Sequence, residues 1–146
     1  MQDREPGGRR HTRRRDAITG SAHILIADDV AEVREVVRFH LERAGYRVSE
    51  VADGREALAF LRQESPDVLL LDLTMPEIDG WGVLEAAQAE GQLEGVRVAL
   101  LTAEADEIAE FRGRRSGAHA YLAKPLEAGD LTRAVERLLD DRPAPA

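Results

Sequence analysis

The sequence predicts an α/β fold: a doubly wound, five-stranded parallel sheet with helices on both faces. Three observations lead there. Five short apolar runs recur along the chain, each is followed by a stretch with helical spacing of apolar residues, and three runs are apolar enough for strands buried on both faces. Strands alternating with helices imply a parallel sheet, and right-handed crossovers make it doubly wound.

The elements follow in order. The runs are "HILIA" (23–27), "RVSEV" (47–51), "DVLLL" (67–71), "VRVALL" (96–101) and "HAYLA" (119–123). In the first helical stretch (30–45), Val33, Val36, Val37 and Leu41 recur at spacings of three and four, and Gly45 stops it. The second stretch (54–64) repeats this with Ala57, Leu58 and Leu61. Stretches 80–91, 104–113 and 127–140 complete the set.

At 146 residues the chain suits one domain. An apolar share of 43% supports a real core, and aromatics at 4% make that core aliphatic. With no cysteine there is neither a disulfide framework nor a thiolate metal site. No run reaches membrane-spanning length, and "RRHTRRR" lacks the apolar segment of a signal peptide, so a cytoplasmic protein is expected. Residues 1–22 read as a disordered basic arm, with six arginines against three acids in the first twenty, and 141–146 as a C-terminal tail. Residues 21–146 carry 14 positive against 25 negative side chains. That acidic body does not favour nucleic acid but is compatible with a cation site.

Doubly wound folds bind ligands at the carboxyl ends of their strands. Strand one ends in Asp28-Asp29, strand three in Asp72, strand four in Thr102 and strand five in Lys124. Taken singly, these are ordinary residues: Asp29 or Thr102 could cap a helix, Asp72 could open a turn, and Lys124 could be a solvated loop residue. Together, three acids at one sheet edge repel one another unless a cation joins them. All-oxygen ligation of this kind suits Mg2+. A carboxylate can attack phosphorus to form an acyl phosphate, a divalent ion can bridge it to the phosphoryl group, and an ammonium can hold another phosphoryl oxygen. Asp72, at the end of an apolar central strand, is the best candidate nucleophile.

The segments "ILIADD" (24–29), "LLLDLTMPEIDGWGVL" (69–84), "ALLTAE" (99–104) and "GAHAYLAKP" (117–125) occur in that order. This pattern resembles the receiver domain of two-component response regulators, over about residues 23–140. The resemblance implies a flavodoxin-like sheet of strand order 2-1-3-4-5. It also implies that Asp72 accepts a phosphoryl group from a histidine kinase or histidine phosphotransfer protein. Asp28 and Asp29 would bind Mg2+ (or Mn2+) together with Asp72 and the backbone carbonyl of Thr74. Thr102 matches the switch hydroxyl and Tyr121 the switch aromatic. Lys124 matches the lysine that contacts the phosphoryl group, and in such domains the bond to the following proline is commonly cis, so Pro125 would position it. Met75-Pro76 with Asp79-Gly80 resembles the turn after the acceptor, while Trp81 reads as a packing residue and His119 is given no role. Side chains at Thr74 and Glu104 would tune acyl-phosphate lifetime.

The expected output surface is the fourth helix, fifth strand and fifth helix (104–115 and 127–140), binding a downstream protein partner or a second copy. A single-domain regulator without a DNA-binding module is expected, or else a fragment whose output domain is missing. Three other readings compete. A phosphohydrolase passing through an aspartyl phosphate would want a second acid where Thr74 stands, and a pseudo-receiver binding module would show gaps among the site residues. A flavodoxin-like cofactor binder would want a phosphate-cradling loop rich in Gly, Ser and Thr after strand one, where Asp28-Asp29 would repel a phosphate. Lys124 is the only lysine beside nineteen arginines. A compact ammonium fits one phosphoryl oxygen beside a metal where a forked guanidinium is too wide.

Overall fold

A computed structural model describes residues 21–103, 112, 115 and 117–140. The expected arm (through residue 20), most of the expected fourth helix, Glu104 and the tail from 141 lie outside the described residues.

The strands are β1 (His23–Ala27), β2 (Arg47–Val51), β3 (Val68–Asp72), β4 (Arg97–Thr102) and β5 (Ala120–Ala123). All pair in parallel, in the order β2-β1-β3-β4-β5. The described helices are α1 (Ala31–Arg43), α2 (Gly54–Gln63), α3 (Gly80–Ala89) and α4 (Ala128–Asp140), the last being the fifth of the sequence-based expectation.

Alternation along the central strands divides the core into two layers, because successive strand side chains point to opposite faces. Leu25, Leu69, Leu71, Val98 and Leu100 pack with Ala57, Leu58 and Leu61 of α2 and Val83, Leu84 and Ala87 of α3. Ile24, Ile26, Val68, Leu70, Ala99 and Leu101 pack with Val37 and Leu41 of α1 and Leu131, Val135 and Leu138 of α4. Burial on both faces is why β1 and β3 contain no exposed residue. Among the described residues no helix is long and apolar enough to cross a membrane.

Strand β3 begins one residue later than the apolar run suggests. Asp67 is a joint at the amino edge: its Oδ2 accepts the His23 N–H at 2.8 Å, and its carbonyl accepts the Arg97 N–H at 3.0 Å. The same shift makes Asp72 the last residue of β3. The helix starts show their local logic. Asp53 caps α2 by accepting the Glu56 N–H at 2.8 Å, and Asp79 caps α3 by accepting the Gly82 N–H at 2.9 Å. No side chain caps α1, so Asp29 is not spent as a cap.

Gly80 ties α3 to the strand end. Its N–H donates to the Leu73 carbonyl at 3.1 Å. A Cβ there would stand 2.6 Å from the Asp72 carbonyl oxygen and 2.8 Å from Leu73 Cα. These backbone atoms at the end of β3 cannot yield cheaply. Gly80→Ala is therefore expected to destabilise the fold by about 1–3 kcal/mol, the usual cost of overpacking. Urea unfolding checks this, and a change below about 0.5 kcal/mol, typical of neutral surface sites, would show that α3 shifts freely.

Candidate functional site

The parallel sheet delivers four of its strand ends to one edge. Asp72 pairs with Leu101 across β3 and β4, and Thr102 with Ala123 across β4 and β5. Asp28 follows Ala27, which pairs with Leu71. Three carboxylate oxygens, one each from Asp28, Asp29 and Asp72, lie within 4.8 Å of one another. Asp28 and Asp72 are buried, whereas Asp29 is exposed.

Lys124 joins them. Its Nζ lies 2.8 Å from Asp28 Oδ2 and 3.4 Å from Asp72 Oδ1. The Lys124 N–H donates to the Thr102 carbonyl at 2.7 Å, which fixes where the side chain leaves the backbone. The Lys124–Pro125 bond is cis. Burial alone would lower the lysine pKa, but the hydrogen bond to Asp28 and the charge of Asp72 outweigh it and hold the ammonium above its ordinary value.

Asp72 is pushed the other way. Burial raises its pKa above the ordinary carboxylate value, and the Asp28 charge adds to this, against the Thr74 N–H and Lys124. The Thr74 N–H donates to Asp72 Oδ1 at 3.2 Å, so the turn-opening role considered for Asp72 exists beside its place in the cluster. Three carboxylates against one ammonium leave a surplus of two negative charges when all are ionised. Hard oxygen donors, close spacing and surplus negative charge are the requirements of a small divalent cation, and these residues fit one. The Thr74 carbonyl, two residues past Asp72, is the candidate backbone donor.

The remaining sequence candidates are less central. Thr102 is buried at the end of β4. Tyr121 lies three residues before Lys124, pairs with Leu100, and packs half-buried on the core layer of α2 and α3. Trp81 packs on that same layer, with the Arg112 guanidinium 4.4 Å from its ring centroid, a cation–π arrangement that adds to its packing role. Glu104 lies outside the described residues.

Two features had no signal of their own in the sequence. His119, assigned no role there, accepts the Val98 N–H on Nδ1 at 2.9 Å, and its own N–H donates to the Val98 carbonyl at 2.8 Å. It pins the start of β5 to β4, and burial with the neighbouring Arg97 charge holds its pKa below the ordinary value. Arg34, on α1, donates from Nη1 to the Asp28 carbonyl at 2.8 Å. Only a three-dimensional neighbour relation reveals either contact.

Known proteins resemble this chain in sequence and in fold. A family model described as response regulator receiver domain matches residues 24–136. A probable transcriptional regulator ycf27 of Guillardia theta is 35% identical over 116 residues, covering 80% of this chain and 44% of that protein. The DNA-binding response regulator MtrA of Mycolicibacterium paratuberculosis is 35% identical over 124 residues, covering 83% and 54%. The chain thus spans about half the length of these curated relatives. Among solved structures, the chemotaxis response regulator CheY4 of Vibrio cholerae superposes with a TM-score of 0.77 at 32% identity, covering 81% of this chain and 98% of that one. A putative response regulator from Chloroflexus aurantiacus gives a TM-score of 0.76 at 34% identity, covering 82% and 98%.

Proposed function

The chain belongs to the response regulator receiver domain family, and on that premise we propose that it is a phosphorylation switch whose phosphoacceptor is Asp72. The observation that carries this reading is the place of Asp72: buried at the end of β3, sharing one cluster with two further acids and one lysine.

In this reading a carboxylate oxygen of Asp72 forms a new bond to phosphorus. The bond from phosphorus to its donor breaks, to an imidazole nitrogen of a kinase or phosphotransfer histidine or to the acetate oxygen of acetyl phosphate. The leaving group keeps the electron pair. Asp28, Asp29, Asp72 and the Thr74 carbonyl would hold Mg2+ or Mn2+, which when bound neutralises charge between carboxylate and phosphoryl oxygens. Lys124, already between Asp28 and Asp72, swings a short distance to hold a phosphoryl oxygen. The product carries added charge and acceptor oxygens at Asp72. Thr102 donates its hydroxyl to that group, Tyr121 repacks, and β5 with α4 shifts between two populations. The partners would be a histidine donor protein upstream and a protein, or a second copy, downstream. DNA binding appears in the name of one relative above, and for this chain it would require a segment beyond the receiver fold.

Incubation with Mg2+ and acetyl phosphate, followed by intact mass, tests the reading. One phosphate adduct that disappears when the cation is chelated is expected. A protein that stays unmodified with acetyl phosphate and with other small donors would instead be a phosphorylation-independent binding module.

A further inference from the structure

We propose that Arg34 is a positioning residue for the acidic pair, aiming Asp29 by clamping the peptide that joins it to Asp28. The proposal rests on the reading of Asp28 and Asp29 as cation ligands.

The N–H, Oδ1 and carbonyl oxygen of Asp28 are hydrogen-bonded, and its Oδ2 is ion-paired. Its N–H donates to the Val51 carbonyl of β2 at 3.2 Å, and its Oδ1 accepts the Val30 N–H at 2.9 Å. Its Oδ2 faces the Lys124 ammonium at 2.8 Å. Its carbonyl oxygen accepts Nη1 of Arg34 at 2.8 Å. That carbonyl and the Asp29 N–H share one planar peptide, so fixing the first fixes the second. Asp29 itself is exposed and caps nothing, and this peptide fixes where its Cα, the base of its side chain, stands.

Arg34 is in turn braced. Its Nε donates to Glu50 Oε1 at 2.9 Å, and Glu50 Oε2 accepts from Arg38 Nη1 at 2.7 Å. Glu50 sits on β2 opposite Ile26 of β1, one position before the residue whose carbonyl receives the Asp28 N–H. The clamp therefore runs from the strand neighbouring β1, through the first turns of α1, to the acidic pair. The planar fork of arginine reaches Glu50 and the Asp28 carbonyl at once, which a single ammonium does not.

The proposal can be separated from a plain charge effect by sign. Removing a cation near three carboxylates should tighten binding of Mg2+ if charge is all that matters. Losing a positioning group should weaken it, by roughly tenfold or more as for other groups that orient metal ligands. Mg2+ affinity is to be measured by calorimetry on the full chain for wild type, Arg34→Gln, Arg34→Lys and Arg38→Gln, with amide exchange followed in the metal-free proteins.

Weaker binding by Arg34→Gln and Arg34→Lys is expected, with a smaller change in Arg38→Gln, which removes only one hydrogen bond from the Glu50 brace. Exchange at Val30, whose N–H reports the hold on Asp28, should accelerate in the Arg34 variants while that of Ile24 and Ile26 stays slow. Equal or tighter binding by both Arg34 variants overturns the proposal. Should Arg34→Gln not fold, Arg34→Lys alone carries the comparison. A wild type that binds no Mg2+ sinks the proposed function instead. Val30 exchange then decides: acceleration in the Arg34 variants sustains the positioning, and no change overturns it.

Discussion

Asp72→Asn is expected to abolish the phosphate adduct completely and, without divalent cation, to raise thermal stability. The two effects share one cause. Asp72 is buried beside Asp28, and its carboxyl is held above the ordinary value mainly by burial. For an acid whose folded pKa lies above its unfolded value, ionisation works against folding at neutral pH. That opposition fades as pH falls through the folded pKa toward the unfolded value of about 3.9. Asparagine removes the charge but keeps nearly the same shape, so the gain should be several degrees near pH 7 and shrink toward acid pH. It is a net gain only because burial and Asp28 outweigh the Lys124 contact at 3.4 Å.

Mg2+ should reverse the ranking. Wild type at about a hundred times its dissociation constant gains about 2.7 kcal/mol by linkage. The variant, with one of three carboxylates gone, gains much less. Thermal unfolding with and without Mg2+, in parallel with intact mass, checks both halves. A variant that still takes up phosphate would move the acceptor away from Asp72. A variant less stable than wild type without cation would mean that the Lys124 contact dominates over burial.

Lys124→Arg is expected to keep the fold and slow Mg2+-dependent adduct formation by at least tenfold, the change produced by about 1.4 kcal/mol. The ammonium lies between Asp28 and Asp72 at 2.8 and 3.4 Å, with the side chain 22% exposed. A guanidinium retains the charge, so the two buried carboxylates are not stranded, and unfolding should move little. What changes is width and reach. A planar fork engages one carboxylate in two-point fashion and no longer stands where one phosphoryl oxygen would arrive. Adduct formation over time measures the chemistry, and amide shifts along Ala120–Ala123 measure the response of β5. Parent-like rates and shifts would remove the geometric reason for a lysine here.

Much of this was legible in the chain because parallel α/β folds write themselves as alternating runs. The apolar runs 23–27 and 47–51 are β1 and β2 residue for residue, since each pairs along its whole length. The edges were less legible. Asp67 reads as part of a strand but serves as a hydrogen-bonded joint, because its side chain is drawn to the His23 amide. His119 reads as neutral filler, yet its ring takes the place of a backbone acceptor for Val98. Nothing in residue type announces such a bond.

The same division runs through the site. Sequence alone determined which chemistry could assemble, because strand periodicity and length place Asp28, Asp29, Asp72, Thr102 and Lys124 at the same ends of parallel strands. Tertiary structure alone decided how they are held. Lys124 reaches across two strands to bridge Asp28 and Asp72, Asp29 is left free of capping duty, and Arg34 on α1 grips the Asp28 carbonyl. The physical reason is range. A strand end is a local property of a few residues, whereas the direction of a carboxylate is set by partners many positions away, which only the packed sheet and helices bring within hydrogen-bonding distance.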